Sequence, residues 1–360
     1  MNKSTSLYLD FLRVIAAFGV VLFHANLPWF SNGLFFSDKY GHKFVMIFFV
    51  LSGYLIAFTV NKKNKGITEY IIDRLSRLYS VVWPALLLTF ILDYIGSHIN
   101  PTYYVGQITP SHQMFRYIIN AAFLSQIWNL CTKPSSNGPF WSICYEFWYY
   151  MLFAAWVFLS GKKRYITIVL ICLLIGYKIL LLLPVWIFGV LAFRIGAGLH
   201  LKKMWANIVF ITSLCAVIIL TFFWDFSVFS DLFIEAAPPL YFSSHFVFDW
   251  VYGAVIAVNL FSIGFVLDVV KIPSFIERII KYLSSITFSL YLFHLPMLVL
   301  VGALLRYNRS SYLQIVPILT GIIIVVALLS EITEKQRNFW RRILKNIFLI
   351  KNVCIFNKKQ

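Results

Sequence analysis

Long apolar stretches alternate with short polar, mostly basic connections along nearly the whole chain. A membrane helix needs about 20 apolar residues. Read on that scale, the pattern predicts ten spans, at residues 7–29, 44–60, 78–95, 140–160, 165–183, 185–199, 208–224, 246–267, 285–305 and 313–330. The fifth and sixth are expected to turn at Pro184. Residues 114–130 are apolar enough to suggest another span. Counting them as one would put Lys162-Lys163-Arg164 on the opposite side from the other basic connections, against the positive-inside tendency. Residues 96–139 are therefore expected to form a re-entrant or interfacial segment, which is allowed where protein or a water-filled cavity satisfies the backbone. The predicted fold class is all-α: a polytopic membrane bundle of about ten transmembrane helices, with that segment before the fourth span. Residues 1–335 read as a single integral-membrane domain and 336–360 as a basic cytoplasmic tail.

Composition agrees. Of 360 residues, 60% are hydrophobic and only 12% charged, about half the charged share of a soluble domain. The net charge of +17 invites a nucleic-acid reading, but the basic residues sit in short segments beside apolar spans. They form no basic domain to lie along a phosphate backbone. Their distribution puts both termini in the cytoplasm and the acidic loop at 225–244 outside. The five cysteines show no metal or redox spacing. No cleaved signal is expected, because the first apolar stretch carries Asp10 and Arg13 and lacks a small-residue cleavage site.

Chemistry is suggested by polar residues inside apolar spans, where ionisable groups are costly. Asp10 and Arg13, at i and i+3, can pair on one helix face. His24 lies eleven residues beyond Arg13, nearly on the same face and roughly 16 Å along the axis. Histidine is the side chain best suited to take a hydroxyl proton near neutral pH. A structural ion pair and a helix-packing histidine are the plainer alternatives. Arg74 and Arg77, also at i and i+3, offer forked donors for phosphate oxygens at the start of the third span; ordinary charge anchoring would use the same residues. Asn137-Gly138-Pro139 is a turn signal ahead of Trp141, Ser142, Glu146 and Tyr149. Glu146 lies about two turns into a span and must be neutral, paired or wet. Tyr291 and His294 share a face of the ninth span, and packing there is as good a reading as activity.

Taken together and in order, these stretches resemble one family, the acyltransferase-3 membrane proteins. The resemblance covers essentially the whole chain. It lies in Arg13-x10-His24, in Phe48-Phe49-x-x-Ser52-Gly53-Tyr54, and in Arg74-x-x-Arg77. It continues in Trp141-Ser142-x-x-x-Glu146-x-x-Tyr149 and in Ser289-Leu290-Tyr291-Leu292-Phe293-His294-x-Pro296. One departure is Ser80, where a proline often follows the tyrosine (here Tyr79) in that family.

The resemblance implies acyl transfer from cytoplasmic acyl-CoA, usually acetyl-CoA, to a hydroxyl of a cell-surface or lipid-linked carbohydrate such as lipopolysaccharide O-antigen or another exopolysaccharide. It implies His24 as general base, with Glu146, Arg13 and Asp10 as catalytic partners. Arg74, Arg77, Ser52 and Tyr54 would face the acyl-CoA. Asn137, Trp141, Ser142, Tyr149, Tyr291 and His294 would face the acceptor. No metal and no tightly bound cofactor is implied, and the expected partners are acyl-CoA, glycan and membrane lipid in the inner membrane. Direct attack by the sugar hydroxyl and a transient acyl-His24 both fit. The rival reading is an exporter or flippase of a lipid-linked glycan, with the same buried charges lining its path.

Overall fold

A computed structural model describes residues 3–35, 40–62, 66–199, 201–224, 239–266 and 272–356. Every expected span is helical, and no strand is present among the described residues. In chain order the helices are α1 (Lys3–Ala25), α2 (Gly41–Lys62), α3 (Ile67–Ile99), α4 (Pro101–Tyr104), α5 (Gln113–Ala121), α6 (Phe140–Phe158) and α7 (Gly161–Ile175). They continue as α8 (Tyr177–Gly198), α9 (Lys203–Phe222), α10 (Phe246–Val266), α11 (Ser274–Ser285), α12 (Thr287–Leu304), α13 (Tyr312–Ile332) and α14 (Arg337–Phe356). Among the described residues, eight helices are long and apolar enough to cross a membrane: α1, α2, α3, α8, α9, α10, α12 and α13, the last continuing into α14. The protein is a multi-pass helical membrane bundle. Of the expected spans, α6 is rich in Trp and Tyr. Helix α7 has only 15 residues, about 22 Å against a hydrocarbon core of ~30 Å.

Three boundaries differ from the pattern's prediction. The turn between α7 and α8 falls at Gly176, not at Pro184. Gly176 adopts φ +76°, and a Cβ there would lie 2.9 Å from the Trp128 backbone nitrogen, so glycine is required. Pro184 sits inside α8, and the preceding turn is held from α10 by Trp250, whose indole N–H donates to the Leu181 carbonyl at 2.6 Å. Helix α3 starts at Ile67 rather than 78 and runs 33 residues, about 50 Å. Arg74 and Arg77 therefore lie two to three turns inside a continuous helix, not at its start. The basic tail is also structured. Helix α14 lies along α3, with Arg341 Nη2 2.7 Å from Glu69, Arg341 Nε 3.1 Å from Asp73 and Lys345 2.9 Å from Glu69.

Residues 96–139 do not span. Helix α5 has nine residues, and the irregular backbone around it is anchored to the bundle. The Ser136 N–H and hydroxyl donate to the two carboxylate oxygens of Asp93 at 2.9 and 2.8 Å. Tyr103 donates to the Trp29 carbonyl at 2.7 Å and Asn100 to the Ala303 carbonyl at 3.1 Å. Side chains of the segment and of α3 thus tie it to the bundle. Phe158, at the end of α6, packs on Tyr70 near the start of α3. Lys162-Lys163-Arg164 accordingly lie at the Arg74 end of the bundle, while the C-terminus of α1, with His24, marks the other end. Lys63, Lys65, Lys271 and residues 225–238 of the acidic loop lie outside the described residues.

Helices α2 and α8 make the closest pair. A Cβ on Gly53 would lie 2.0 Å from the Trp186 carbonyl oxygen, and one on Gly189 would lie 1.9 Å from that of Val50. Small residues let membrane helices approach this far. Gly53→Ala is therefore expected to force α2 from α8 and destabilise the bundle by roughly 1–3 kcal/mol or more. Gly264→Ala, which meets nothing within 4 Å, should have no such effect. Thermal unfolding in detergent checks this, and equal stability of the two variants would refute the close contact.

Candidate active site

Five helices converge on one narrow, partly open cleft, with a cavity volume of ≈ 70 Å³. Arg13 enters from α1, Ser52 from α2, Arg74 and Arg77 from α3, Ser142, Glu146 and Tyr150 from α6, and Thr287 and Tyr291 from α12. Each comes from a helix buried on several sides, so backbone packing rather than loop geometry sets its position.

At the Arg74 end the cleft is cationic. Arg74 is 8% exposed and its Nε has no hydrogen-bond partner. Its guanidinium lies over the rings of Tyr70 and Tyr150, 5.7 and 5.9 Å from their centroids, a geometry that favours a cation. Arg77 interacts electrostatically with Glu146, Tyr150 and Glu334. Glu334 accepts from both the N–H and the hydroxyl of Ser289 at 3.0 Å, which fixes a carboxylate near Arg13 and Arg77. Arg13 and Asp10 form the expected i, i+3 pair at 3.5 Å. Asp10 also accepts from Ser284 at 2.9 Å, tying α1 to α11.

Glu146 sits on the wall between the arginines and the far end. Its Oε1 accepts from the Ser52 hydroxyl at 2.8 Å and from the Tyr150 hydroxyl. Trp186 donates to Ser52 at 3.2 Å, so the α2–α8 contact reaches the carboxylate through one hydroxyl. Two hydroxyl donors, from α2 and from the next turn of α6, hold Glu146 as an acceptor at the wall of the cleft.

At the other end Ser142 and Tyr291 share a hydrogen bond of 2.7 Å. One turn further along α12, His294 meets His24. The two histidines do not line the cleft; they stand beyond its Tyr291 end, the Tyr291 and His294 rings lying 6.4 Å apart. Each ring bonds its own helix one turn back, His24 Nδ1 to the Val20 carbonyl at 3.0 Å and His294 Nδ1 to the Leu290 carbonyl at 2.8 Å. A carbonyl only accepts, so both Nδ1 atoms carry protons. His294 Nε2, 3.0 Å from His24 Nδ1, then accepts from that shared N–H. The network assigns the tautomer: a neutral His24 has its free lone pair on Nε2.

Several expected site residues are used elsewhere. Tyr54 packs on Phe193 and borders a separate groove with Phe58 and Gly196, because it lies on the face of α2 opposite Ser52. Tyr149 faces α8 and donates to the Ile179 carbonyl at 3.0 Å. Asn137 is fully buried, and its amide donates to Thr89 at 2.9 Å and to the Leu292 carbonyl at 2.8 Å; it pins the start of α6 rather than facing the cleft. Trp141 is buried, with the Phe242 ring stacked on it at 4.4 Å and the His42 ring parallel to it at 5.8 Å.

Other residues were not anticipated. Tyr150 stands at i+4 from Glu146, a spacing that would have flagged it. Glu334 lies beyond the last apolar run and carries no such signal. His42 contacts both carboxylate oxygens of the buried Asp249, at 3.0 and 2.9 Å. Lys43 donates to the carbonyls of Leu220, Thr221 and Trp224 at 2.9–3.0 Å, capping the C-terminus of α9 where a cation is favoured.

A family model described as "Acyltransferase domain", of the acyltransferase-3 type, matches residues 6–331. A curated protein of Shigella phage Sf6, named O-acetyl transferase, is 28% identical over 227 residues, covering 57% of this chain and 65% of that protein. The match thus spans just under two-thirds of the relative's length. No solved structure matches the chain.

Proposed function

This chain belongs to the acyltransferase-3 family, and from that premise we propose that it is a membrane O-acyltransferase. In this reading it moves an acetyl group from cytoplasmic acetyl-CoA to a hydroxyl of a cell-surface or lipid-linked carbohydrate. The observation that carries the reading is the cleft itself. It is lined by Arg13, Arg74 and Arg77 at one end and by the Ser142–Tyr291 pair at the other, where the His24–His294 pair follows. A phosphate-rich donor suits the forked, partly unpaired arginines. A narrow cleft suits the thin pantetheine arm, which would carry the thioester toward the histidines.

The acceptor hydroxyl then gives its proton to His24 Nε2 as its oxygen attacks the thioester carbonyl, and the CoA thiolate departs. His294 keeps the His24 proton on Nδ1. Glu146, held by Ser52 and Tyr150, stabilises Arg77 and orients the donor. Tyr291 and Ser142 are the hydroxyls nearest the reacting carbonyl. Both termini are cytoplasmic and the His24 end faces outward, in the inner membrane of the cell.

The test is the mass of the surface glycan from cells with and without the gene. Loss of the gene is expected to remove about one acetyl mass per modified repeat while the glycan itself persists. Loss of the whole glycan would instead identify a lipid-linked glycan carrier.

A further inference from the structure

We propose that Arg337 is a third phosphate-binding arginine of the donor site, carried there by helix α14. The inference rests on the acyl-CoA reading above. Residue 337 lies beyond residues 6–331, which the family model matches.

Arg337 Nη2 donates to the Asp73 carbonyl at 2.9 Å, one residue before Arg74. Its guanidinium is in electrostatic contact with Arg74 and Arg77, and its side chain is 38% exposed. One N–H group of this arginine is therefore fixed to the α3 backbone, and the side chain as a whole stays partly exposed. Three like charges gathered beside one cleft repel one another, an arrangement that suits a polyanionic ligand. The buried, unpartnered Nε of Arg74 independently points to a missing acceptor there.

The acidic residues at the start of α3 do not supply it. Glu69 is engaged by Arg341 and Lys345, and Asp73 is 3.1 Å from Arg341 Nε but 4.0 Å from Arg337. Arg341 and Lys345 thus make the short ion pairs that dock α14, while Arg337 holds Asp73 only at 4.0 Å and lies beside Arg74 and Arg77, which line the cleft. The ligand chemistry is a phosphorylated adenosine diphosphate head, which presents several phosphate groups to a forked donor set.

The experiment is calorimetric binding of coenzyme A to the full chain in lipid nanodiscs. R337Q is expected to weaken binding by about 10-fold or more, the scale of one charge-assisted contact, and R337K to restore part of it. The salt dependence of binding should also flatten in R337Q, because one screened charge is gone. R341Q, which loosens α14 without removing the cation beside Arg74 and Arg77, should weaken binding far less. Equal affinity of wild type and R337Q overturns the proposal and leaves the donor reading standing. So does a loss in R341Q as large as that in R337Q, since docking of α14 would then explain both. No binding to the wild type overturns the donor reading and this proposal with it.

Discussion

His24→Gln is expected to lower acyl transfer by roughly 10²–10⁴-fold, the range for loss of a general base, and to be about as inactive as His24→Ala. Glutamine separates the two roles a membrane histidine can have. Its amide can still donate to the Val20 carbonyl and to His294 Nε2, the contacts His24 Nδ1 makes, but it takes no proton at neutral pH. A packing role would leave the Gln variant active and the Ala variant poorly folded. A base leaves both folded and both inactive. The readout is transfer from labelled acetyl-CoA to membrane glycan, normalised to monodisperse protein on size exclusion. His294→Gln is expected to cost less than His24→Gln, because it disturbs the tautomer without removing the base. Substantial activity in His24→Gln would remove His24 from the chemistry and leave Glu146 or His294 as the base.

The double substitution of Arg74 and Arg77 by alanine carries the second large effect. Two charge-assisted phosphate contacts at about 1.5–3 kcal/mol each correspond to a loss of affinity for coenzyme A on the order of 10²–10⁴-fold. Arg74→Ala alone tests the cleaner half, since its guanidinium rests on Tyr70 and Tyr150 rather than on a carboxylate. Arg77→Ala also strips Glu146 and Glu334 of a counter-charge, so folded yield has to be measured beside affinity. Lysine at both positions should retain membrane orientation and only part of the binding, because an ammonium cannot fork. Unchanged affinity in the double alanine variant would return these arginines to simple anchoring.

Much of the architecture was readable from hydrophobic length and basic connections. Those two signals are imposed by the bilayer, which acts on each span separately. They even decided that residues 114–130 do not cross, since a crossing would have inverted Lys162-Lys163-Arg164. What they missed lies where a helix continues beyond the apolar zone. The early start of α3 and the docking of α14 depend on Glu69 and Asp73 meeting Arg341 and Lys345 across 272 residues of chain, and no local pattern encodes that. Pro184 misled for a related reason: proline breaks a helix in isolation, but Trp250 from α10 supports the preceding turn, and the φ of Gly176 decides the corner.

The site was legible where chemistry and periodicity coincide. Asp10 and Arg13 pair as their spacing requires, and Arg13, Arg74, Arg77, Ser52, Ser142, Glu146 and Tyr291 share one cleft. Tyr54, Tyr149 and Asn137 show the limit. They lie within the same runs as cleft residues, yet Tyr54 is two positions from Ser52 and Tyr149 one from Tyr150, offsets that turn a side chain onto another face, and Asn137 lies before α6 begins. The meeting of His24 with His294 joins positions 270 residues apart, which spacing within a helix cannot reveal.

The buried amide of Asn137 has a consequence for the order in which the protein is made. Its partners are Thr89, already synthesised, and the carbonyl of Leu292, which follows 155 residues later. At ~5–20 residues per second, the ribosome delivers that second partner about 8–30 s after Asn137 itself. Through that interval, while α7 to α11 enter the membrane, the start of α6 holds a polar amide without its final acceptor. The turn that leads into Trp141, Ser142 and Glu146 is therefore among the last parts of the bundle to close, and α12 is the helix that closes it. A nascent chain halted before α12 emerges has synthesised Arg74 and Arg77 but neither Tyr291 nor His294. The acceptor end of the site is thus assembled late, when α12 inserts between the first and third helices.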